Sequence, residues 1–144
     1  MTTVNVYLTF NGNCEAAFGF YKSVFGGEFA NLVRFKDMPP PGATLSAEAG
    51  EKIMHVALPV STETMLMGSD TGDDRASGFV PGNNFAISIN SDTRDETDRI
   101  FKDLAKDGTV TMPLMEAPWG DYFGMFTDKF GINWMISHNP KMGQ

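Results

Sequence analysis

The sequence predicts an α+β fold built from two βαβββ modules in one domain. Three observations lead there. An alternating, β-prone stretch near the start is followed by a turn and then by apolar residues at helical spacing. The same succession returns from residue 84. The halves also overlay locally: Tyr21-Lys22 matches Phe101-Lys102 at an offset of 80, and Thr64–Asp70 matches Ile132–His138 at an offset of 68. A repeat this long lies far outside solenoid periods and reads as a duplicated module.

The elements follow in order. "VNVYLTF" (4–10) alternates and is rich in β-formers, so it is a strand. "NGN" (11–13) breaks it and offers Asn13 as a helix cap. In the next stretch Cys14, Ala17, Phe18, Tyr21, Val24 and Phe25 share one helical face, and Gly26-Gly27 supply the stop. "EFANLVRF" (28–35) is a strand, and residues 36–52 form a long loop stiffened by three prolines. Residues 53–60 and 64–70 form a hairpin across Ser61–Glu63. A linker, 71–83, separates module one (1–70) from module two (84–138) within the domain 1–144. Residues 84–90 open the second module as a strand. A helix over 93–107 has Thr93 and Glu96 spaced as a capping box and buries Thr97, Ile100, Phe101, Leu104 and Ala105. A strand at 109–114 and a closing hairpin, 121–128 with 132–138, complete it.

Composition narrows the class. At 42% hydrophobic and 12% aromatic, a packed core is expected, and ten methionines with twelve phenylalanines suit a soft, aromatic interior or pocket. The net charge of −7 and the lack of a basic stripe argue against nucleic acid and anionic membranes as partners. One cysteine rules out an internal disulfide framework and fits a reducing cytoplasm. The start of the chain lacks a signal-peptide pattern, and no stretch approaches the roughly 20 apolar residues of a membrane span, so a cytoplasmic protein is expected.

Chemistry-bearing residues are few. His55 lies mid-strand in "MHVAL" and reads as a pocket base or ligand, or as a histidine satisfied at a sheet surface; no partner is visible in sequence. His138 is near the end of the chain and reads as solvated. Two histidines without metal-ligand spacing make zinc unfavoured. Cys14, on the apolar helix face, reads as a buried, inert thiol. "EAPWGDYFG" (116–124) is the most distinctive stretch. Trp119 and Phe123 either line a pocket rim, with Asp121 accepting a hydrogen bond, or plug the interior while Gly120-Asp121 turns the chain. The acidic runs at 72–74 and 92–98 read as solvated surface. No Gly-rich turn that would cradle a nucleotide cofactor or a phosphate follows a strand.

The segments "YLTFNGNCEAAFGFYKSVFGG", "MHVAL", "MLMGSD" and "GTVTMPLMEAPWGDYFGMFTDKFGINWMI" resemble the PhnB-like branch of the vicinal oxygen chelate superfamily, which also holds glyoxalases, bleomycin-resistance proteins and extradiol dioxygenases. The resemblance runs over nearly the whole chain. It implies curved mixed sheets, each an open trough, with metal ligands in relatives supplied by the first strand of each module and the last strand of the second. Aligned on the family pattern, the ligand places fall on Val6, Asn84 and Met135, where His, His and Glu are expected. A shift of one residue substitutes Tyr7, Asn83 or Phe85, and Trp134 or Ile136, which are no better as ligands. Valine cannot ligate, an amide oxygen is weak, and a thioether prefers copper(I) to hard divalent ions.

The expectation is therefore a small-molecule binding protein with no cofactor and no metal, taking an apolar or aromatic compound beside His55, Asn84, Trp119, Phe123 and Met135. The alternative is an enzyme using a divalent metal or a His55/Asp121 acid–base pair. A homodimer is expected, because relatives complete their sites by pairing modules.

Overall fold

The computed structural model describes residues 2–39, 41–42, 44–72 and 78–139. Pro40 and Ala43 of the expected loop, and 73–77 of the expected linker with Asp73 and Asp74, lie outside them. The chain divides into two compact units, Met1–Val80 and Pro81–Gln144.

The first unit runs β1 (Val6–Phe10), α1 (Cys14–Phe25), β2 (Asn31–Arg34), one 3-10 turn (Phe35–Asp37), α2 (Ala47–Glu51), β3 (Ile53–Pro59) and β4 (Met65–Asp70). Its sheet has the order β1-β4-β3-β2; β1 and β4 are parallel and the other pairs antiparallel. The second unit runs β5 (Ile87–Asn90), α3 (Arg94–Leu104), β6 (Thr109–Glu116), β7 (Tyr122–Thr127) and β8 (Asn133–His138), in the order β5-β8-β7-β6 with β5 and β8 parallel. The units are thus two βαβββ modules with mixed four-stranded sheets. Leu66 beside Val6 has the place of Trp134 beside Ile87, which keeps the offset of 68 between the closing strands.

Each helix lies on one face of its sheet, where it buries the predicted stripe. Cys14, Ala17, Phe18, Tyr21 and Val24 are buried in α1, as are Thr97, Ile100 and Leu104 in α3; Phe25, Phe101 and Ala105 are half-buried. Phe18 meets the rings of Phe10 and Tyr21 edge-on, and Phe101 meets Phe126 likewise. A helix aromatic also closes on a sheet glycine in each unit. A Cβ on Gly68 would lie 2.7 Å from the Phe18 ring, and one on Gly124 2.8 Å from Phe101. No side chain fits where those rings sit.

Several local expectations change, and the strand expected over 28–35 is confined to Asn31–Arg34, where it pairs with β3. Residues 36–52 are not all loop, because Ser46 accepts a hydrogen bond from the Ala49 amide and starts a short helix. Strand β5 begins at Ile87 rather than residue 84, where its pairing with β8 starts. Asn13 makes no side-chain cap for α1. The carboxylate of Asp70, from the end of β4, takes that place: its Oδ1 accepts from the Gly12 and Cys14 amides at 2.9 and 3.0 Å, and its Oδ2 from the Ile53 amide at 2.9 Å. Asp70 is 4% exposed, so one buried side chain ties together the start of α1, β3 and β4. At the second helix Thr93 caps as predicted, accepting from the Glu96 amide at 3.1 Å.

Candidate functional site

Helices cover one face of each sheet, so function is sought on the other. Strand residues alternate between faces. In the first unit Leu8, Phe10, Val56, Leu58, Leu66 and Gly68 take the helix side and are buried. Tyr7, Thr9, His55, Ala57, Met67 and Ser69 therefore share the open face. Val6 has the parity of Leu8 and turns toward the helix side, so Tyr7 is the β1 residue that belongs to the open face.

Tyr7 also supplies the partner that sequence did not reveal for His55. The two rings lie 5.8 Å apart between centroids with planes 28° apart, and the Tyr7 hydroxyl is 3.4 Å from His55 Nδ1. Strands β1 and β3 are not neighbours; both pair with β4, so the two side chains meet across it.

The open face of the second unit is different in kind. One row across the strands reads Met112, Met125, Met135, Ser88, and the next reads Met115, Phe123, Ser137, Asn90. Four thioethers and a phenyl ring thus share one surface, with a polar margin on β5 and β8 where Ser137 donates to Asn90 at 2.9 Å. Met135 and Phe123 stand on this face. Asn84 does not, since it lies exposed at a bend ahead of β5; Ser88 is the β5 residue in register with Met135.

Trp119 is 70% exposed in the turn between β6 and β7, and Gly120, at φ 105°, makes that turn. Its indole Nε1 donates to Asp121 Oδ2 at 2.7 Å, while the Asn139 amide donates to Asp121 Oδ1. Both oxygens of Asp121 are occupied in holding the turn and the indole. His55 and Asp121 each bond within their own unit, the former to Tyr7 and the latter to Trp119 and Asn139. His138 Nδ1 donates to the Ser91 carbonyl, 2.9 Å away, and is part-buried rather than fully solvated.

Other reactive groups have structural tasks. Cys14 is buried, and burial with the nearby Asp70 charge pushes its thiol far above the ordinary range, so it stays protonated. The N-terminus of α1 follows a strand, as an anion-binding helix often does, but Asp70 already fills it. Among the described residues no three His, Cys, Asp or Glu side chains come together. No helix among them is long and apolar enough to cross a membrane.

A polar cluster missed in sequence sits beside β7. The Arg94 guanidinium stacks 3.9 Å from the Tyr122 ring centroid and donates to Glu116 at 2.7 Å, while the Tyr122 hydroxyl donates to Asp98. The hydrogen bond to the Asp98 carboxylate, aided by partial desolvation, raises the Tyr122 pKa against the opposing pull of Arg94. A raised pKa means that this stabilisation is present below the ordinary phenol value of about 10 and is lost as pH rises through the folded value. Tyrosinate absorbance should therefore show a late-titrating phenol that Tyr122→Phe removes and Asp98→Asn shifts down. Unchanged curves in both variants would refute the assignment.

The fold and these two faces define a class. A family model for the glyoxalase/bleomycin resistance protein/dioxygenase superfamily matches residues 3–136, and the chain belongs to that superfamily. Within it the chain sits in the PhnB-like branch. It is 34% identical over 136 residues to Protein YjdN of Escherichia coli K12, covering 91% of each chain. The crystal structure of PA1353 from Pseudomonas aeruginosa superposes with a TM-score of 0.81 at 37% identity, covering 96% of this chain and 98% of that one. The Bacillus cereus PhnB protein, described as a putative 3-demethylubiquinone-9 3-methyltransferase, follows at a TM-score of 0.73 and 27% identity, covering 95% and 99%.

Proposed function

We propose that this protein binds a small apolar or aromatic molecule on its open sheet faces without the superfamily's usual metal. The observation that carries the reading is the donor set. On the three strands from which metal-using relatives draw their ligands, the open-face residues are Tyr7 and Thr9, Ser88 and Asn90, and Asn133, Met135 and Ser137. None is a histidine, carboxylate or cysteine, and a hard divalent ion has no matching set of donors there. Thioethers and Phe123 suit apolar and aromatic ligands of varied shape, because methionine re-packs at low cost.

Two measurements test this together. After dialysis against a weak chelator the protein should hold less than about one tenth of an equivalent of Zn, Ni, Fe or Mn. A panel of apolar and aromatic compounds should contain members that raise the melting temperature. A ligand at 100 times its Kd adds about 2.7 kcal/mol, or several degrees. Met135→Ala with Phe123→Ala should abolish the rise for compounds held on the second unit's face. Stoichiometric metal, or a panel in which no compound raises the melting temperature, would defeat the reading.

One observation favours a second reading, an enzyme. His55 has a hydroxyl partner, and a paired imidazole is a competent general base. Turnover of any panel compound that His55→Leu abolishes would establish it.

The same surfaces favour self-association. Phe85, Met112, Met115 and Trp119 of the second unit are exposed, and large exposed apolar side chains are often covered by a partner. A symmetric homodimer burying more than roughly 1,000 Å² is proposed. Light scattering at micromolar concentration should give about 32 kDa, twice the 15.8 kDa chain. A constant monomer mass across concentrations would sink it.

A further inference from the structure

We infer that the open face of the first unit is a site for a planar aromatic carboxylate, whose ring stacks beside Tyr7 and whose carboxylate accepts a hydrogen bond from His55; this deepens the binding reading above and rests on it. Three features of the face lead to that class of ligand.

The first is the shape. Tyr7 comes from the edge strand and reaches over β4 to His55, and the two rings are only 28° from parallel. Tyr7 is 49% exposed, so part of its surface is open to a ligand. A phenol beside an imidazole forms a flat tile on which a planar π-system stacks. Ala57, in register between Asn31 and Met67, is buried, so the ligand's place is over the exposed part of Tyr7.

The second is the imidazole's free nitrogen. The Tyr7 hydroxyl engages Nδ1, and with that hydroxyl donating, the ring proton resides on Nε2. In that tautomer Nε2–H is a donor without an acceptor among the described residues.

The third is the sign of the surroundings. The chain carries 18 acidic residues, yet the open-face positions of these four strands hold none. Thr9, Ser69 and Asn31 are uncharged, and each carries a hydrogen that can be donated. Asp70, the strand residue that could oppose an anion, faces the helix side and is saturated by three amides. A carboxylate therefore meets donors and no competing charge. A charge-assisted hydrogen bond is the stronger kind.

The probes are 2-naphthoate and its neutral isostere 2-naphthamide, titrated into the intact protein by calorimetry, with the His55 imidazole protons followed by NMR. Naphthoate should bind about tenfold or more tightly than the amide and shift the His55 signals. His55→Leu should weaken both probes and bring their affinities to within about twofold of one another, so that the preference is lost, and Tyr7→Ala should weaken both about tenfold while keeping the preference. Equal binding of both probes, or a preference that survives His55→Leu, overturns the inference and leaves the broader binding reading standing. Failure of both probes alone overturns this site; failure of the whole apolar and aromatic panel overturns the broader reading as well. The NMR shift uses the unsubstituted protein, so a variant that does not fold cannot rescue the proposal.

Discussion

Asp70→Ala should destabilise the first unit by about 3–5 kcal/mol, since three amide donors lose their acceptor and an unsatisfied buried donor costs about 1–3 kcal/mol. That is a large share of the 5–15 kcal/mol that holds a typical domain. Removing the carboxylate also leaves the start of α1 uncapped, because Asn13 makes no replacement bond. Asp70→Asn should recover only part of the loss. Both carboxylate oxygens are in use, and an amide presents one oxygen and two N–H groups, so an N–H would be set against a backbone donor. Both tryptophans lie in the second unit. Amide hydrogen exchange of β1, β3 and β4 is therefore the sensitive measurement for the first. A loss below about 1 kcal/mol would show that water reaches these amides and that the burial argument fails.

Asp128→Ala is expected to be the corresponding lesion in the second unit, at about 3 kcal/mol. Asp128 is 3% exposed. Its Oδ1 accepts from the Phe130 and Ile132 amides at 2.8 and 3.1 Å, and its Oδ2 from the Trp134 indole at 2.8 Å. The carboxylate shapes the turn that leads into β8 and holds the largest buried side chain of the core. Without it the indole N–H is stranded and the strand carrying Met135 loses its register. Trp134 fluorescence should shift to the red and the urea midpoint should fall. An unchanged midpoint would mean that the turn is held by other contacts.

Much of the fold was legible because its signals are local. Both helices declare themselves through a 3.6-residue stripe, and the two hairpins through alternation interrupted by turn residues. The short helix at Ala47–Glu51 is capped locally by Ser46, whereas the other changes involve partners distant in sequence. Asn13 looked like a cap because it precedes a helix, whereas the acceptor used is Asp70, 56 residues beyond Cys14. Asn84 looked like a strand residue because "NFAISIN" alternates, yet β5 extends only over the residues that pair with β8. At the candidate site, Met135 and Phe123 were readable from the closing hairpin. Tyr7 was not singled out because family alignment placed the first ligand at Val6, although Leu8 and Phe10 as core residues set the opposite parity. The contact between Tyr7 and His55 spans 48 residues, a separation that no spacing rule reaches.

The parallel pairing of β1 with β4 has a kinetic consequence. Val6 meets Leu66 and Ile87 meets Trp134, so the opening strand of each unit finds its sheet partner only after its closing strand exists. A chain leaving the ribosome cannot finish its first unit until residue 70 is out, and β1 must wait unpaired in the meantime. Hairpin β3–β4 closes over a short turn and has no such delay. Refolding should therefore protect the amides of β3 and β4 before those of β1, in an order that pulse-labelled hydrogen exchange can read. If β1 is protected first, assembly starts from the long-range parallel pair.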